Sequence, residues 1–332
     1  MRANITNPAE STAPNLGSAA LSASPCELSI VVPLFNEEGN VGLLVRRLTK
    51  TLSNEKAGPY EIVLVDDGSR DGTWDAIREA AAGDDRIRGL RLCRNFGHQA
   101  ALLAGLTEAR GKAIVSMDGD LQHPPELIPD LLRAYRQGWK VVETRRRYGK
   151  SASLFKKLSS SLYYRIFSYL AEYELEEGRS DFRLIDAQVR DELIRLRMAD
   201  LFLRGAVGWM GFPTRVVDFE ADHRHSGASK YSLGRMLRFG RGAIVSFSFR
   251  PLKIGIALGL VTSAFALLEL IYIIVQYFSG NTVPGWASTL GVISLLFGIL
   301  FVILGIVGSY IARLCVILQN RPAFIIGEKT DG

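Results

Sequence analysis

Two apolar stretches near the C-terminus constrain the chain before anything else does. Ile254–Phe278 is interrupted by Glu269 and Gln276, and Leu290–Ala312 carries no charge. Runs of about 18 or more apolar residues are long enough to cross a bilayer, and without water to bond the backbone they must do so as helices. The expected spans are residues 251–279 and 287–314. Between them "SGNTVPGWAS" has no Lys or Arg, whereas Arg250 and Lys253 precede the pair and Arg313, Arg321 and Lys329 follow it. The positive-inside rule then turns both termini to the cytoplasmic face, with 315–332 as a cytoplasmic C-terminal tail. Glu269 in mid-span is costly and calls for a polar partner, protonation or a contact in a homo-oligomer.

Mean hydropathy is positive, +0.12, high for a fully soluble protein, and the excess lies after residue 250, so a soluble domain joined to a membrane segment is expected. Residues 1–26, rich in Ala, Ser, Asn and Pro, have the composition of a flexible N-terminal tail. Over 27–228 short β-branched runs alternate with helix-period stretches. The strands are expected at Leu28–Phe35, Glu61–Asp67, Ile87–Leu92, Ala113–Asp118 and Lys140–Arg145. The helices are expected over "NVGLLVRRLTKTL", "GTWDAIREAAA", "HQAALLAGLTEAR" and "PPELIPDLLRAYRQG". That alternation, with continuously apolar strands, predicts an α/β fold with a mostly parallel central sheet covered on both faces. Ligands of such sheets bind beyond the carboxyl ends of the strands.

Residues 151–175 and 229–250 mix Lys and Arg with aromatic and aliphatic residues. Basic amphipathic helices of this kind lie in a bilayer interface, and 229–250, directly before the first span, is read that way. For 151–175, packing on the domain's own core is an equal alternative. The net charge of +6 fits an anionic partner, and Cys26, Cys93 and Cys315 lie too far apart for a disulfide framework or a zinc site. His223 and His225 alternate but have no third ligand nearby.

The polar strand exits carry the chemistry. Asp118-Gly119-Asp120 leaves one strand, with Gln122 close behind and Pro124-Pro125 opening the next helix. Oxygen ligands at this spacing suit Mg²⁺ or Mn²⁺, which keeps waters and bridges substrate phosphates. Gly119 is read as permitting a tight bend. Asp66-Asp67 and Asn36-Glu37 end two other strands; hydrogen bonds to a nucleoside and ordinary turn chemistry both remain open for them. Asp71 is read as a helix cap, and His98 and His123 as hydrogen-bonding residues. Neither a P-loop nor a first-turn dinucleotide fingerprint occurs.

In order, "VVPLFNEEGN", "VDDGSRDGT", "RNFGHQAALLAG", "SMDGDLQHPPELIP", "SDFRLID" and "HRHSGASKY" resemble the successive motifs of glycosyltransferase family 2. Within it they are similar to the polyisoprenyl-phosphate glycosyltransferases, the group of dolichyl-phosphate mannose synthase and the bacterial undecaprenyl-phosphate sugar transferases. The resemblance implies a GT-A type nucleotide-binding domain followed by interfacial helices and two transmembrane helices, in the cell inner membrane. It places Pro33, Phe35, Asn36, Glu37, Asp66 and Asp67 at the nucleotide and Asp118, Asp120 and Gln122 at the metal. It makes Asp118, Asp120, Arg224 and Lys230 catalytic and puts Arg145, Arg146 and Arg224 at the acceptor phosphate. Asp181 and Arg183 belong to a family motif of less defined role. Where many relatives have an Arg after the Glu of the "DFE" segment, this chain has Ala221.

The implied reaction moves a sugar from a nucleotide donor, UDP-hexose favoured, to a polyprenyl phosphate, undecaprenyl phosphate favoured, with no nucleic acid involved. Like charges about 4 Å apart repel by roughly 4 kcal/mol at an effective dielectric of 20, so a metal, Arg and Lys must offset that repulsion. A phosphate monoester is largely dianionic at neutral pH and attacks without a strong base, which predicts inversion. A processive polysaccharide synthase would bring a Q-x-x-R-W segment and more spans, and neither occurs. A membrane scaffold with a vestigial nucleotide fold would not need the acidic and basic motifs.

Overall fold

The computed structural model describes residues 26–54, 58–147, 179–196, 201–220, 250–279 and 285–330. The expected tail over residues 1–25, the segment 151–175 and nearly all of the interfacial segment 229–250 lie outside the described residues.

The first strand, β1 (Leu28–Leu34), is buried at every position, because helices cover both faces of the sheet. Leu28, Ile30, Val32 and Leu34 face α1 (Glu38–Asn54) and α2 (Thr73–Gly83), while Val31 faces α3 (His98–Glu108). Each such buried aliphatic side chain contributes roughly 1.5–3 kcal/mol relative to exposure. β2 (Tyr60–Asp66), β3 (Ile87–Leu92) and β4 (Ala113–Ser116) run parallel to β1. A short 3₁₀ turn, Pro125–Leu127, leads into α4 (Ile128–Arg136). β5 (Val141–Arg147) and β6 (Arg179–Asp186) follow, then α5 (Ala187–Arg195), α6 (Leu203–Trp209) and β7 (Thr214–Glu220).

The sheet has eight strands in the order β7-β5-β6-β4-β1-β2-β3-β8. It is mostly parallel, as the sequence predicts, with two antiparallel members. β6 pairs antiparallel with both β4 and β5, so its first residues reach the edge where β4 and β5 end.

Two long helices, α7 (Arg250–Phe278) and α8 (Trp286–Leu318), match the two apolar runs. Leu252–Gln276 and Gly291–Leu318 are long and apolar enough to cross a membrane, with mean hydropathy 2.3 and 2.7. Gly255 and Gly259 of α7 face Ile303 and Ile306 of α8, where an added Cβ would sit in ordinary contact, 3.7–4.0 Å from their methyl groups. Elsewhere the pair turns large apolar groups outward, among them Leu260, Phe265 and Phe301.

The C-terminal segment departs from the expected tail. α8 runs on to Leu318, and β8 (Ile326–Lys329) then pairs antiparallel with β3. An uncovered edge strand presents unpaired N–H and C=O groups, and this segment takes them: Cys93 N–H donates to Ile325 O at 3.0 Å, and Thr330 N–H donates to Gly89 O at 3.0 Å. Phe324 and Ile326 pack against the core on the α3 side of the sheet. With Glu328 and Lys329 in so short a strand, no apolar run announces it in sequence.

Candidate active site

Strand order reverses between β1 and β4, since β2 and β3 lie to one side and β6 and β5 to the other. Beyond the carboxyl ends at such a switch point the loops splay and leave a crevice. Residues 35–37 after β1, 67–72 after β2 and 117–124 after β4 border it. The β4–β6 register, Ser116 opposite Arg183, carries forward to set Asp181 across from Asp118.

The D-x-D turn is held from three sides. Asp120 Oδ1 accepts from Gln122 N–H at 3.1 Å. Leu121, buried, has φ 63°, a left-handed conformation that costs a bulky residue of order 1–3 kcal/mol. Asp118 N–H donates to His123 Nδ1 at 3.0 Å, and the His123 ring stacks on Phe182 with centroids 5.2 Å apart. His123 is thus a buried bracket under the turn, in line with its expected hydrogen-bonding role. Gly119 serves differently from the expectation of a tight bend. Its φ is not among the positive ones; a Cβ there would lie 2.3 Å from Leu34 Cδ2, so glycine is required by the approach of the turn to β1.

Asp118 Oδ1 is buried without a hydrogen-bond partner; His98 Nε2 lies 3.3 Å away, outside hydrogen-bonding geometry. Burial pushes the Asp118 carboxyl above the ordinary range, with His123 and His98 pulling against it. Asp181 is the opposite case. Burial would raise it too, but Arg204, His98 and Arg183 outweigh that and hold it well below the usual carboxylate range. Arg183 Nη2 donates to Asp181 Oδ1 at 2.6 Å, while Arg204 Nη2 and Gln99 Nε2 donate to Oδ2 at 3.0 and 3.2 Å. Arg183 is itself 4% exposed, with Glu143 Oε1 3.9 Å from Nη1. His98 loses basicity to burial, but Asp181 and Asp118 more than restore it and leave it raised.

Asp181 and Arg183, undefined in role from sequence, therefore form an ionic brace behind the acidic turn. Arg204 was not singled out in the sequence at all. It opens α6 in "LFLRG", and only the tertiary fold brings it to Asp181. His98 reaches the same place because α3 packs unusually close: a Cβ on Gly105 would meet Val31 Cγ1 at 2.3 Å.

The other strand exits are tied to one another. Asn36, at φ 54°, accepts from Arg70 N–H through Oδ1 at 2.9 Å and donates its own N–H to Ser69 Oγ at 2.9 Å. Glu37 N–H donates to Thr73 Oγ1 at 2.9 Å. Asp71 Oδ1 accepts from Thr73 N–H at 3.1 Å, so it meets the first N–H of α2 from one residue before the N-cap, Gly72, rather than as the cap itself. Asp66 and Asp67 are 0% and 3% exposed. Asp66 Oδ1 accepts from Ser69 N–H at 2.9 Å; Asp67 accepts from Phe96 N–H at 2.7 Å and Gly97 N–H at 3.0 Å. Burial raises Asp67, and those two N–H groups partly offset it. These bonds fix the turns through both Asp67 oxygens and Asp66 Oδ1, while Asp66 Oδ2 is buried without a hydrogen bond. Pro33 sits within β1, and Phe35 is exposed at the crevice.

β5 ends at the same edge. Arg145 pairs with Asp218 of β7, Nε to Oδ1 at 2.7 Å, and Arg146 is opposite Phe219 in the register. Arg224, Lys230 and Ala221 lie outside the described residues.

Among the described residues no three His, Cys, Asp or Glu side chains converge as a metal cage. The turn nevertheless fits a hard divalent ion of the kind that keeps its waters and shares substrate phosphates. It offers two carboxylates one residue apart, one with a buried oxygen lacking a hydrogen bond. Asp118 and Asp120 would hold it, with Gln122 close by.

An acidic turn thus stands at the switch point of a mostly parallel sheet, backed by an antiparallel strand, as expected from the motif resemblance for a GT-A domain. Residues 29–194 match the family described as Glycosyl transferase family 2. The chain is 37% identical over 308 residues to an uncharacterized glycosyltransferase, YkcC, of Bacillus subtilis (strain 168), covering 92% of this chain and 94% of that one. It is 32% identical over 309 residues to the SfII prophage-derived bactoprenol glucosyl transferase of Shigella flexneri, covering 92% and 99%. The protein belongs to glycosyltransferase family 2.

Proposed function

We propose that the protein transfers a sugar from a nucleotide-sugar donor, UDP-hexose favoured, to a polyprenyl phosphate, undecaprenyl phosphate favoured, with inversion and with Mg²⁺ or Mn²⁺. One observation carries the lipid acceptor. The chain that holds this acidic turn also carries two helices of spanning length whose apolar surface the protein itself leaves uncovered. Relatives of nearly equal length are described as bactoprenol glucosyl transferases, which supports the same acceptor class.

β8 supports an arrangement with both ends of the helix pair on one side of the membrane, since a strand after α8 pairs with a sheet built before α7. Lys and Arg on the outer flanks favour the cytoplasmic side, in the cell inner membrane. Glu269 within α7 is a candidate contact for a homo-oligomer.

In the reaction, Asp118 and Asp120 hold the divalent ion, which when bound supplies positive charge against the donor diphosphate. Arg224 and Lys230 are assigned to phosphate, Arg224 with Arg145 and Arg146 on the acceptor side. The loops fixed by Asn36, Glu37, Asp66 and Asp67, with Pro33 and Phe35, frame the nucleotide. The acceptor phosphate oxygen attacks the anomeric carbon as the bond to the departing diphosphate breaks. No side chain need take a proton, since the acceptor is already dianionic.

The test uses full-length protein with polyprenyl phosphate, a panel of nucleotide sugars and Mg²⁺ or Mn²⁺, with and without EDTA. Glycolipid of inverted configuration is expected, lost on chelation. Asp120→Asn should lower turnover roughly 100-fold or more, as several kcal/mol of charge stabilisation disappear. Undiminished transfer by metal-stripped protein would refute the metal assignment, and a retained anomeric configuration would refute direct displacement.

A further inference from the structure

We propose that the C-terminal strand is a positioning element of the donor site, with Glu328 holding the Arg91 guanidinium against Asp66 at the start of the β2–α2 loop. The proposal rests on the reading that this loop frames the nucleotide.

The chain of contacts is continuous. Glu328 is opposite Arg91 in the β3–β8 register, and its Oε1 accepts from Arg91 Nη1 at 3.0 Å. Glu328 Oε2 accepts from Trp74 Nε1 at 3.1 Å. Arg91 Nε in turn lies 3.4 Å from Asp66 Oδ2, an oxygen that is buried and has no hydrogen bond of its own. The guanidinium also lies 5.9 Å from the Trp74 ring centroid, close enough for cation–π attraction.

Asp66 Oδ1 meanwhile fixes Ser69 N–H, and Ser69 Oγ accepts from Asn36 N–H. Glu328, two positions from the last described residue, is thus linked through Arg91 and Asp66 to both loops at the nucleotide end of the crevice.

A strand that merely closes the sheet edge needs none of this. Its backbone bonds and the packing of Phe324 and Ile326 suffice for closure, and the Lys329–Glu108 pair at 2.8 Å is a sufficient surface contact. The specific feature is an acid facing an Arg that already faces a buried carboxylate. Removing it leaves Arg91 free to swing outward and Asp66 Oδ2 without its nearest cation.

Four full-length variants test this, with UDP binding measured calorimetrically and donor KM and kcat measured in the transfer assay. Glu328→Gln keeps shape and an acceptor for Trp74 but removes the charge. Thr330→Val removes only the hydroxyl that accepts from Gly89 N–H at 2.7 Å, further along the same segment. Asp66→Asn probes the loop directly. Because Arg91 and Glu328 are partly exposed, the pair is worth a surface interaction. Glu328→Gln should therefore raise the UDP Kd and the donor KM about three- to fivefold while leaving kcat within about twofold. Thr330→Val should lower the melting temperature without moving Kd, and Glu328→Asp should recover part of the affinity. If Asp66→Asn weakens UDP but Glu328→Gln changes no more than Thr330→Val does, the strand only closes the sheet and the proposal falls. If Asp66→Asn leaves UDP binding intact, the nucleotide reading of this loop falls and takes the proposal with it.

Discussion

Substituting Gly119 by Ala isolates the geometry of the acidic turn, because the change adds one methyl and no polarity. The backbone φ there is not in the left-handed region, so Ala meets no conformational penalty and the whole effect is steric. The new Cβ would sit 2.3 Å from Leu34 Cδ2. Carbon atoms rest no closer than about 3.5 Å, so the turn or Leu34 must move by roughly 1.2 Å. Leu34 is 1% exposed and packed in the α1 face of the core, so much of the movement falls on the turn. Overpacking of this kind costs about 1–3 kcal/mol in stability, and a displacement near 1 Å costs about 100-fold in rate. Transfer to polyprenyl phosphate, measured at saturating donor and acceptor, should therefore fall about 100-fold in Gly119→Ala. The compensating variant is Leu34→Val, which removes the offending Cδ2 for about 0.8 kcal/mol of lost burial. In the double variant most of the lost turnover should return. If Gly119→Ala turns over at the wild-type rate, or if Leu34→Val fails to restore the double variant, close packing of the turn on β1 is not what sets the site.

Other expectations are read in single variants. Asp181→Asn leaves the buried Arg183 without its carboxylate and should destabilise the protein by about 3 kcal/mol or more in chemical denaturation. The folded-state pKa of Asp181 lies below its unfolded value of about 3.9, so its contribution is present above pH 4 and lost as the pH falls through the folded value. Asp181→Asn should accordingly flatten the acid limb of a stability–pH profile. Tyr135 titrates the other way: burial and its hydrogen bond to Asp186 raise it to about 12. That stability is present below pH 10 and lost between about 10 and 12, and Tyr135→Phe should remove this alkaline step from the profile. His123→Ala removes the acceptor of Asp118 N–H and the ring stacked on Phe182, and should lower both melting temperature and kcat. An unchanged kcat there would show that the turn does not depend on its bracket.

Much of this architecture is legible locally. The five strands read from sequence lie within one or two residues of β1 to β5, because short β-branched runs between helix-period stretches mark a covered sheet. The two long apolar helices are legible from the length of their apolar runs. What escapes is decided by distant partners. β6 contains the motif "SDFRLID", yet its direction, which delivers Asp181 to Asp118, is a property of pairing with β4 and β5. Arg204 carries no local signal, since an Arg opening a helix is ordinary until Asp181 is seen beside it. Asp66 and Asp67 are legible only in part: nucleoside contact and turn chemistry look alike in sequence, and only the fold shows three of their four oxygens accepting from loop N–H groups.

β8 is the sharpest instance and the one with the largest mechanical consequence. A four-residue strand containing Glu and Lys reads as solvated tail, and its partner strand lies far upstream. Yet its pairing sets a short tether. From Leu318, the last residue of α8, the chain to Ile326 reaches at most about 29 Å even when fully extended, so the β3 margin of the sheet stays within that distance of the helix end. The donor-loop margin is therefore held close to the end of α8. On the proposed reading, in which α8 crosses the bilayer, so short a tether keeps the nucleotide loops at the surface, where the phosphate of a membrane-bound acceptor has to reach Asp118.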